Sequence, residues 1–228
     1  MDIPLASKNP RVSRIYFPEE GGPTDAIMLV EGSDDFHLLF HFMEVHKLMG
    51  ICTVFNGTGI NDLLKELDVR IKLGDVKQIG IVVDADESAQ SRWESIKDTL
   101  SKYDYDAVKT SPLDKNGTLI KKDRLPTIGI WIMPDNQNTG MVEDFVKTLI
   151  PPTDVLWPLA IQCVDDLPAG QRRFIPAHTL KAEIHTWLAW QEDPGRPMGQ
   201  ALSKKYLNAK APAGMTFASW IRELFSPS

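Results

Sequence analysis

Four short, continuous apolar runs constrain the fold of this 228-residue chain more than any other feature. They read AIMLV from Ala26, ICTVF from Ile51, IGIVV from Ile79 and TIGIWIM from Thr127. Runs of this kind, without polar alternation, are typical of strands buried on both faces of a parallel sheet. The segments after the first three runs carry apolar residues at helical spacing. We therefore predict an α/β fold with a mostly parallel, four-stranded sheet flanked by helices.

Changes in composition divide the chain into three parts. Residues 1–24 are rich in proline, glycine and charge, and predict an N-terminal arm in which Arg14 to Phe17 forms a short edge strand. Residues 25–150 contain the four apolar runs and form the predicted α/β domain. Residues 151–228 contain four of the six tryptophans and amphipathic segments. We predict that this last part is a helical C-terminal extension packed on the sheet domain.

The composition favours a cytoplasmic protein without a membrane partner. No apolar run approaches the roughly 20 residues that a membrane helix needs, and the N-terminus lacks the apolar core of a signal peptide. Cys52 and Cys163 lie far apart in the sequence, and we predict that each is a small buried hydrophobic residue. The net charge of −6 argues against binding nucleic acid by charge alone. Metal ions in an acidic site could still neutralise phosphates.

Acidic residues stand where the predicted strands end or the next helix begins. They are Glu31, Asp84, Asp86, Asp135, Glu143 and Asp144. The carboxyl ends of parallel strands meet at one edge of a sheet, and ligands of open α/β sheets bind outside that edge. Asp84 and Asp86 are two positions apart, so an extended backbone would direct both the same way. A divalent cation removes the repulsion between such carboxylates, and the pattern therefore predicts a Mg²⁺ (or Mn²⁺) site.

These residues carry a resemblance to a known family. VEGSDD, residues 30–35, resembles the glutamate motif of the Toprim domain, and IGIVVDAD resembles its DxD motif. GIWIMPDNQNTGMVEDF and HTWLAWQEDPGRPMGQAL resemble a bacterial family of small stand-alone Toprim-like proteins, over nearly the whole chain. The resemblance implies a Rossmann-like Toprim fold over residues 25–150, dependence on Mg²⁺, and cleavage or transfer at nucleic-acid phosphodiesters.

The resemblance also implies roles for individual residues. Glu31 matches the general acid/base glutamate, Asp84 and Asp86 match the metal ligands, and Asp35 matches the second acidic position of the first motif. Ser88 stands where topoisomerases have the glutamate of DxDxE, which argues against strand passage. The looser pattern is closer to nucleases of the overcoming-lysogenization-defect (OLD) type, which are often encoded with an ABC-type ATPase. Because the sequence contains no Walker A motif, such an ATPase would be a separate partner chain.

Two further residues are candidates for the site. Glu143, at the start of a predicted helix, is a candidate metal ligand or support for one. Lys181 lies one turn before His185 on a predicted helix, and a lysine near the metal could stabilise a phosphate transition state, as in OLD-type nucleases. We predict ordinary surface or core roles for His178 and His185, and a helix-start role for Asp34.

The motifs together predict a Mg²⁺-dependent Toprim nuclease that hydrolyses nucleic-acid phosphodiesters and acts in a bacterial defence system. Two alternatives stay open. One is a non-catalytic interaction protein that binds a partner ATPase or a nucleotide. The other is a phosphatase of the haloacid-dehalogenase type with Asp84 as nucleophile, although its DxD belongs on the first strand and Glu31 would be unexplained. The choice between DNA and RNA, and the oligomeric state, a homo-oligomer included, also stay open.

Overall fold

A computed structural model describes residues 15–16, 25–105, 108 and 111–226. The described strands are β1 (Ile15–Tyr16), β2 (Ala26–Val30), β3 (Thr53–Asn56), β4 (Gln78–Asp84), β5 (Thr118–Ile120) and β6 (Thr127–Met133). The described helices are α1 (Ser33–Val45), α2 (Ile60–Leu73), α3 (Ala89–Leu100), α4 (Val142–Leu149), α5 (Leu156–Asp165), α6 (Thr179–Ala189), α7 (Met198–Ser203) and α8 (Pro212–Leu224).

The described strands form one sheet in the order β1-β3-β2-β4-β6-β5. The central strands β3, β2, β4 and β6 are parallel, and β1 and β5 pair antiparallel at the two edges. The prediction of a mostly parallel α/β sheet is confirmed, and its four predicted strands are the parallel ones. The edge strand predicted within Arg14 to Phe17 is observed as β1, and β5 adds an antiparallel strand at the other edge. Apart from residues 15–16, the predicted arm lies outside the described residues.

Side chains alternate between the two faces of the sheet and build two cores. One face carries Met28, Val30 and Val82 against α1, α4 and the C-terminal helices. The other face carries Leu29 and Ile81 against α2 and α3. Because both faces are covered, the parallel strands are apolar along most of their length, as the continuous runs in the sequence indicate.

The C-terminal extension shares a core with the sheet. Phe217 of α8 lies 4.8 Å from the ring centroid of Trp131 in β6 and 5.0 Å from that of Phe42 in α1. It also stacks on Trp220 at 5.7 Å. Aromatic pairs contribute about 0.5–1.5 kcal/mol each beyond the burial of their area. These contacts fix α8 against the sheet and continue one hydrophobic core from β2 to Phe225.

Two glycines of the sheet allow the end of α8 to pack closely against it. Gly80 of β4 and Gly129 of β6 are register partners, and the side chain of Leu224 lies over both. A Cβ added at Gly129 would lie 2.5 Å from Cδ2 of Leu224, which is 1% exposed and has little room to move. Close approach of the helix therefore depends on the missing side chains.

We expect Gly129→Ala to lower the free energy of unfolding by about 1–3 kcal/mol, the usual cost of overpacking a core. Urea denaturation measures the change. Gly170→Ala is the matched control, because a Cβ at Gly170 meets nothing within 4 Å. Equal stabilities of the two variants would contradict the close packing of Leu224 on the sheet.

The structure corrects one expectation about the cysteines. Cys52 is buried as predicted, but Cys163 is exposed on α5. Cys163 lies on the side of α5 that faces away from the core, whereas Ala160 and Val164 face inward. In the described part of the chain, no helix combines the length and apolar character needed to cross a membrane.

Candidate functional site

The site lies at the point where the sheet connections change direction. β2 is flanked by β3 and β4, so the chain leaves β2 to one side through α1 and returns past it through α2. Ligand sites of open α/β sheets lie at such a switch point, outside the carboxyl ends of the strands. Glu31 follows β2 and Asp84 ends β4, and Oε2 of Glu31 accepts a hydrogen bond from the backbone N–H of Asp84 at 3.3 Å.

Two further carboxylates reach the site from the first turns of helices. Asp35 of α1 is 7% exposed, and Glu143 of α4 is 2% exposed. A helix N-terminus stabilises negative charge, which explains why acidic residues are tolerated there. Exposure this low is unusual for carboxylates and requires compensating partners.

Burial and neighbouring negative charges disfavour the charged forms of Asp84 and Asp35. Burial, with the charges of Asp35, Glu31 and Glu143, raises the pKa of Asp84 to about 9. Burial, with the charge of Glu31, raises the pKa of Asp35 to about 7. Asp84 lies within electrostatic reach of Glu31, Asp35 and Glu143, and these four residues are named the acidic cluster below. Without a cation, the raised pKa values favour protonated carboxyl groups at Asp84 and Asp35.

The acidic cluster contains buried oxygens that lack partners. Oδ1 of Asp35 and Oδ1 of Asp84 are buried and accept no hydrogen bond from any described residue, and the same holds for Oδ1 of Asn56 at the end of β3. Oxygen atoms from carboxylates and amides are the ligands of Mg²⁺ and Mn²⁺. The donor set therefore fits a hard divalent cation. Among the described residues, no three His, Cys, Asp or Glu side chains already form a preassembled metal-ligand group.

Lys181 of α6 supplies the counter-charge of the cluster. Its Nζ lies 3.1 Å from Oε1 of the buried Glu143 and 2.9 Å from Oδ2 of Asp34 in α1. Burial lowers the pKa of Lys181, but its hydrogen bond to Asp34 and its ion pair with Glu143 outweigh burial and raise the pKa above the ordinary value. Lys181 is therefore a permanent cation, and it joins the C-terminal extension to the site.

Asp86 stands apart from the other predicted ligands. β4 ends at Asp84, and Asp86 has a left-handed φ of 51°, so the expected extended geometry does not continue to this residue. Its side chain is 53% exposed, and Oδ2 lies 2.5 Å from Nη2 of Arg92 in α3. The expectation that Asp84 and Asp86 share one face of a strand is therefore wrong, because the backbone turns between them.

Other acids of the predicted constellation have local structural roles. Asp135 accepts hydrogen bonds from the backbone N–H groups of Gln137 and Asn138, at 3.1 and 2.8 Å, and holds a turn. Oδ2 of Asp144 accepts from the backbone N–H of Met141 at 2.8 Å and caps α4. These bonds are typical of turns and helix starts.

The two histidines of the C-terminal extension border different cavities. His178 lines a cleft of about 890 Å³, named here the α3 cleft, which Asp86 and Arg92 also line. His185 lines a smaller pocket of about 260 Å³ beside Asp34.

Three residues at the site carry no motif signal. Asn56 has a buried amide oxygen that accepts no hydrogen bond from the described residues. Asp34 forms an ion pair with Lys181, and Arg92 donates a hydrogen bond to the backbone oxygen of Asp84 at the end of β4. Of these, only Arg92 has an indirect signal in the sequence. It is the fourth residue of the helix that follows DxD, and the first turns of a helix pack beside the loop that precedes it.

The fold and the site define an α/β protein with an acidic, oxygen-rich centre at the switch point of a mostly parallel sheet. Residues 25–226 match the family described as protein of unknown function (DUF3226), and the chain belongs to that family. Comparisons with curated proteins and with solved structures gave no match.

Proposed function

We propose that this chain is a Mg²⁺- or Mn²⁺-dependent Toprim nuclease that hydrolyses nucleic-acid phosphodiesters. The observation that supports the proposal most is the acidic cluster at the switch point, with the buried, unpartnered oxygens of Asp35 and Asp84. Burial and neighbouring charges raise the pKa values of Asp84 and Asp35, and a divalent ion would stabilise the charged forms of both. The bacterial defence role and the separate ABC-type ATPase partner belong to the same proposal.

The proposed metal ligands differ in the contacts that their side chains make. Asp84 and Asp35 present buried acceptor oxygens. Glu31 lies next to Asp84, because its carboxylate accepts a hydrogen bond from the backbone N–H of Asp84.

Two other acids are already paired with cations. Glu143 is buried and paired with Lys181, so it supports the ligands by its charge. Asp86 joins the ligands only when it leaves Arg92. When bound, the cation supplies Lewis-acid polarisation of the phosphate and acidifies a water molecule.

Glu31 and Lys181 have distinct proposed roles in hydrolysis. In the reaction a bond forms between the oxygen of water and phosphorus, and the bond between phosphorus and the leaving oxygen breaks. The leaving oxygen keeps the electron pair and takes a proton from solvent. Glu31 accepts the proton that water loses, because hydrogen bonds from the described residues occupy only its Oε2, which accepts from the backbone N–H of Asp84. Lys181, a permanent cation beside the cluster, stabilises the negative charge that develops on the phosphate.

The test is a cleavage assay on single-stranded and duplex DNA and RNA with Mg²⁺ or Mn²⁺. We expect the wild-type chain to cleave one of these substrates and Glu31→Gln to lower the rate by about 10²–10⁴-fold, the usual contribution of a general base. Chelation of the metal should abolish cleavage. Asp123→Asn, an exposed acid outside the cluster, is the control and should retain full activity.

Metal-independent cleavage, or full activity in Glu31→Gln, would contradict the assignment of the site. Trapping of a phosphoaspartate at Asp84 would instead support the phosphatase alternative.

A second function is that of a non-catalytic protein that binds a partner ATPase or a nucleotide, and it is favoured because the net charge of −6 argues against holding nucleic acid by charge alone. The same assay distinguishes the two functions. Absence of cleavage by the isolated chain, together with co-purification of an ATPase, would support the interaction protein.

A further inference from the structure

Arg92 binds both aspartates of the DAD segment at the end of β4. Its Nε donates a hydrogen bond to the backbone oxygen of Asp84 at 2.8 Å, and its Nη2 donates to Oδ2 of Asp86 at 2.5 Å. The Arg92 side chain is 12% exposed. A guanidinium carries five N–H donors, and among the described residues only Nε and Nη2 of Arg92 have hydrogen-bond partners. The remaining donors are available to a ligand.

The Asp86 backbone is held in an uncommon conformation. Its φ of 51° lies in the left-handed region, which costs a residue with a side chain roughly 1–2 kcal/mol relative to the right-handed one. Paired backbone hydrogen bonds with Gly140, both 2.9 Å, and the ion pair with Arg92 maintain this conformation. An element held in this way can take a second arrangement when its partner changes.

The α3 cleft gives an anion access to Arg92. Ser88, Ser91, Arg92 and Ser95 line one side and follow one face of the start of α3. Thr139, Gly140 and His178 also line the cleft, and its volume of about 890 Å³ is that of a ligand pocket. The acids Asp86, Glu87 and Asp144 line it as well, and Oδ2 of Asp144 is engaged in capping α4. Hydroxyl groups and a guanidinium are typical ligands of phosphate oxygens. Among the described residues, no Phe, Tyr or Trp side chain lines the cleft, so it offers base stacking only the imidazole of His178.

We propose that Arg92 binds a substrate phosphate in the α3 cleft. When the phosphate binds, Arg92 releases Asp86, and the freed Asp86 side chain completes the metal site. This inference rests on the proposed function, and it describes how the substrate and the metal ion would bind together at that site. Arg92 keeps an anionic partner throughout, since the planar guanidinium fork binds phosphate as well as carboxylate. Asp86 exchanges the guanidinium for the cation, so neither charge is left unpaired.

The exchange couples the two binding events. A phosphodiester backbone in the cleft raises the affinity for the divalent cation, and the cation raises the affinity for the backbone by the same factor. The cleft contacts that we assign are to phosphate, which DNA and RNA share, so binding there is independent of base sequence.

The experiment is a calorimetric titration of Mn²⁺ into the wild-type chain, alone and with phosphorothioate-linked DNA or RNA oligonucleotides, each with a protein-free blank. Methylphosphonate-linked oligonucleotides, which lack the backbone charge, are the matched ligand control. We expect the charged backbone to raise the affinity for Mn²⁺ about tenfold, within the usual range of coupling, and the uncharged backbone to leave it unchanged. An increase with only one of DNA and RNA identifies the substrate.

Arg92→Ala separates this inference from a purely structural role of Arg92. We expect the variant to bind Mn²⁺ more tightly than the wild type in the absence of oligonucleotide, because Asp86 is no longer held by the guanidinium. The oligonucleotide should then add nothing. Arg92→Lys, which keeps the charge but loses the fork, should be intermediate. Asp86→Asn should weaken Mn²⁺ binding mainly when the oligonucleotide is present.

The outcomes distinguish failure of this inference from failure of the proposed function. Unchanged Mn²⁺ affinity of Arg92→Ala, or coupling that persists in it, overturns the role of Arg92 while leaving the metal site intact. Mn²⁺ binding that is absent in the wild type, or that survives in Asp84→Asn, overturns the proposed metal site and this inference with it.

Discussion

Asp84→Asn is expected to stabilise the metal-free protein at pH 8 by on the order of 3 kcal/mol, because the wild type must keep a buried carboxyl protonated or ionise it beside three other acids. The asparagine amide has nearly the shape of a protonated aspartate and carries no charge at any pH. Residues that serve a site at the expense of stability are expected to behave in this way. Urea denaturation in the presence of a chelator measures the change.

The pH dependence follows from the raised pKa of Asp84. The pKa is about 9 in the folded chain, against 3.8 for an unperturbed aspartate carboxyl group. Between these values the folded state holds a proton that the unfolded state has released, so the free energy of unfolding falls as the pH rises from about 4 towards 9. We expect Asp84→Asn to remove this part of the slope. A smaller slope remains from Asp35, whose pKa is raised to about 7.

A divalent cation should reverse the order of stability. Mn²⁺ is expected to raise the melting temperature of the wild type and to leave Asp84→Asn almost unchanged, since a ligand stabilises the state that binds it. Asp123→Asn, an exposed acid, serves as the control and should follow the wild type in both conditions. A metal-free Asp84→Asn variant that is less stable than the wild type at pH 8 would contradict the electrostatic interpretation of the cluster.

Lys181→Met is expected to destabilise the protein by about 2 kcal/mol, since it removes the cation that neutralises a buried carboxylate. Glu143 is 2% exposed and would lose the partner that lies 3.1 Å away. The full cost of breaking a buried ion pair is larger, but the Lys181 side chain is 39% exposed, so water compensates in part. Methionine keeps much of the apolar stem, so the change reports mainly on charge.

The second variant of this pair is Glu143→Gln, which removes the buried charge itself. We expect the double variant Lys181→Met/Glu143→Gln to recover most of the stability lost in the lysine variant, because no unpaired buried charge remains. Lys65→Met, at an exposed position of α2, is the control. Additive effects of the two substitutions in urea denaturation would show that Lys181 and Glu143 do not interact energetically.

The pattern of the sequence was sufficient to predict the sheet and the edge at which the site lies. Continuous apolar runs require burial on both faces, parallel strands place their carboxyl ends at one edge, and the acids after those runs must lie there. Glu31 and Asp84 follow from this argument alone, since each comes directly after a buried run. Asp35 and Glu143 were predicted as site residues, whereas their almost complete burial could not be read from their ordinary positions in first helical turns.

Only the tertiary structure decided how the acids divide. Residues 84 and 86 look equivalent in the sequence, but the left-handed φ at Asp86 and the guanidinium of Arg92 separate their side chains. Lys181 reaches Glu143 across 38 positions of sequence, because α6 packs beside α4. The sequence by itself determined the strands and the edge where charge collects, since both depend on local periodicity. The pairing of each carboxylate with a particular cation depends on contacts between distant segments of the chain, and no local sequence pattern encodes such contacts.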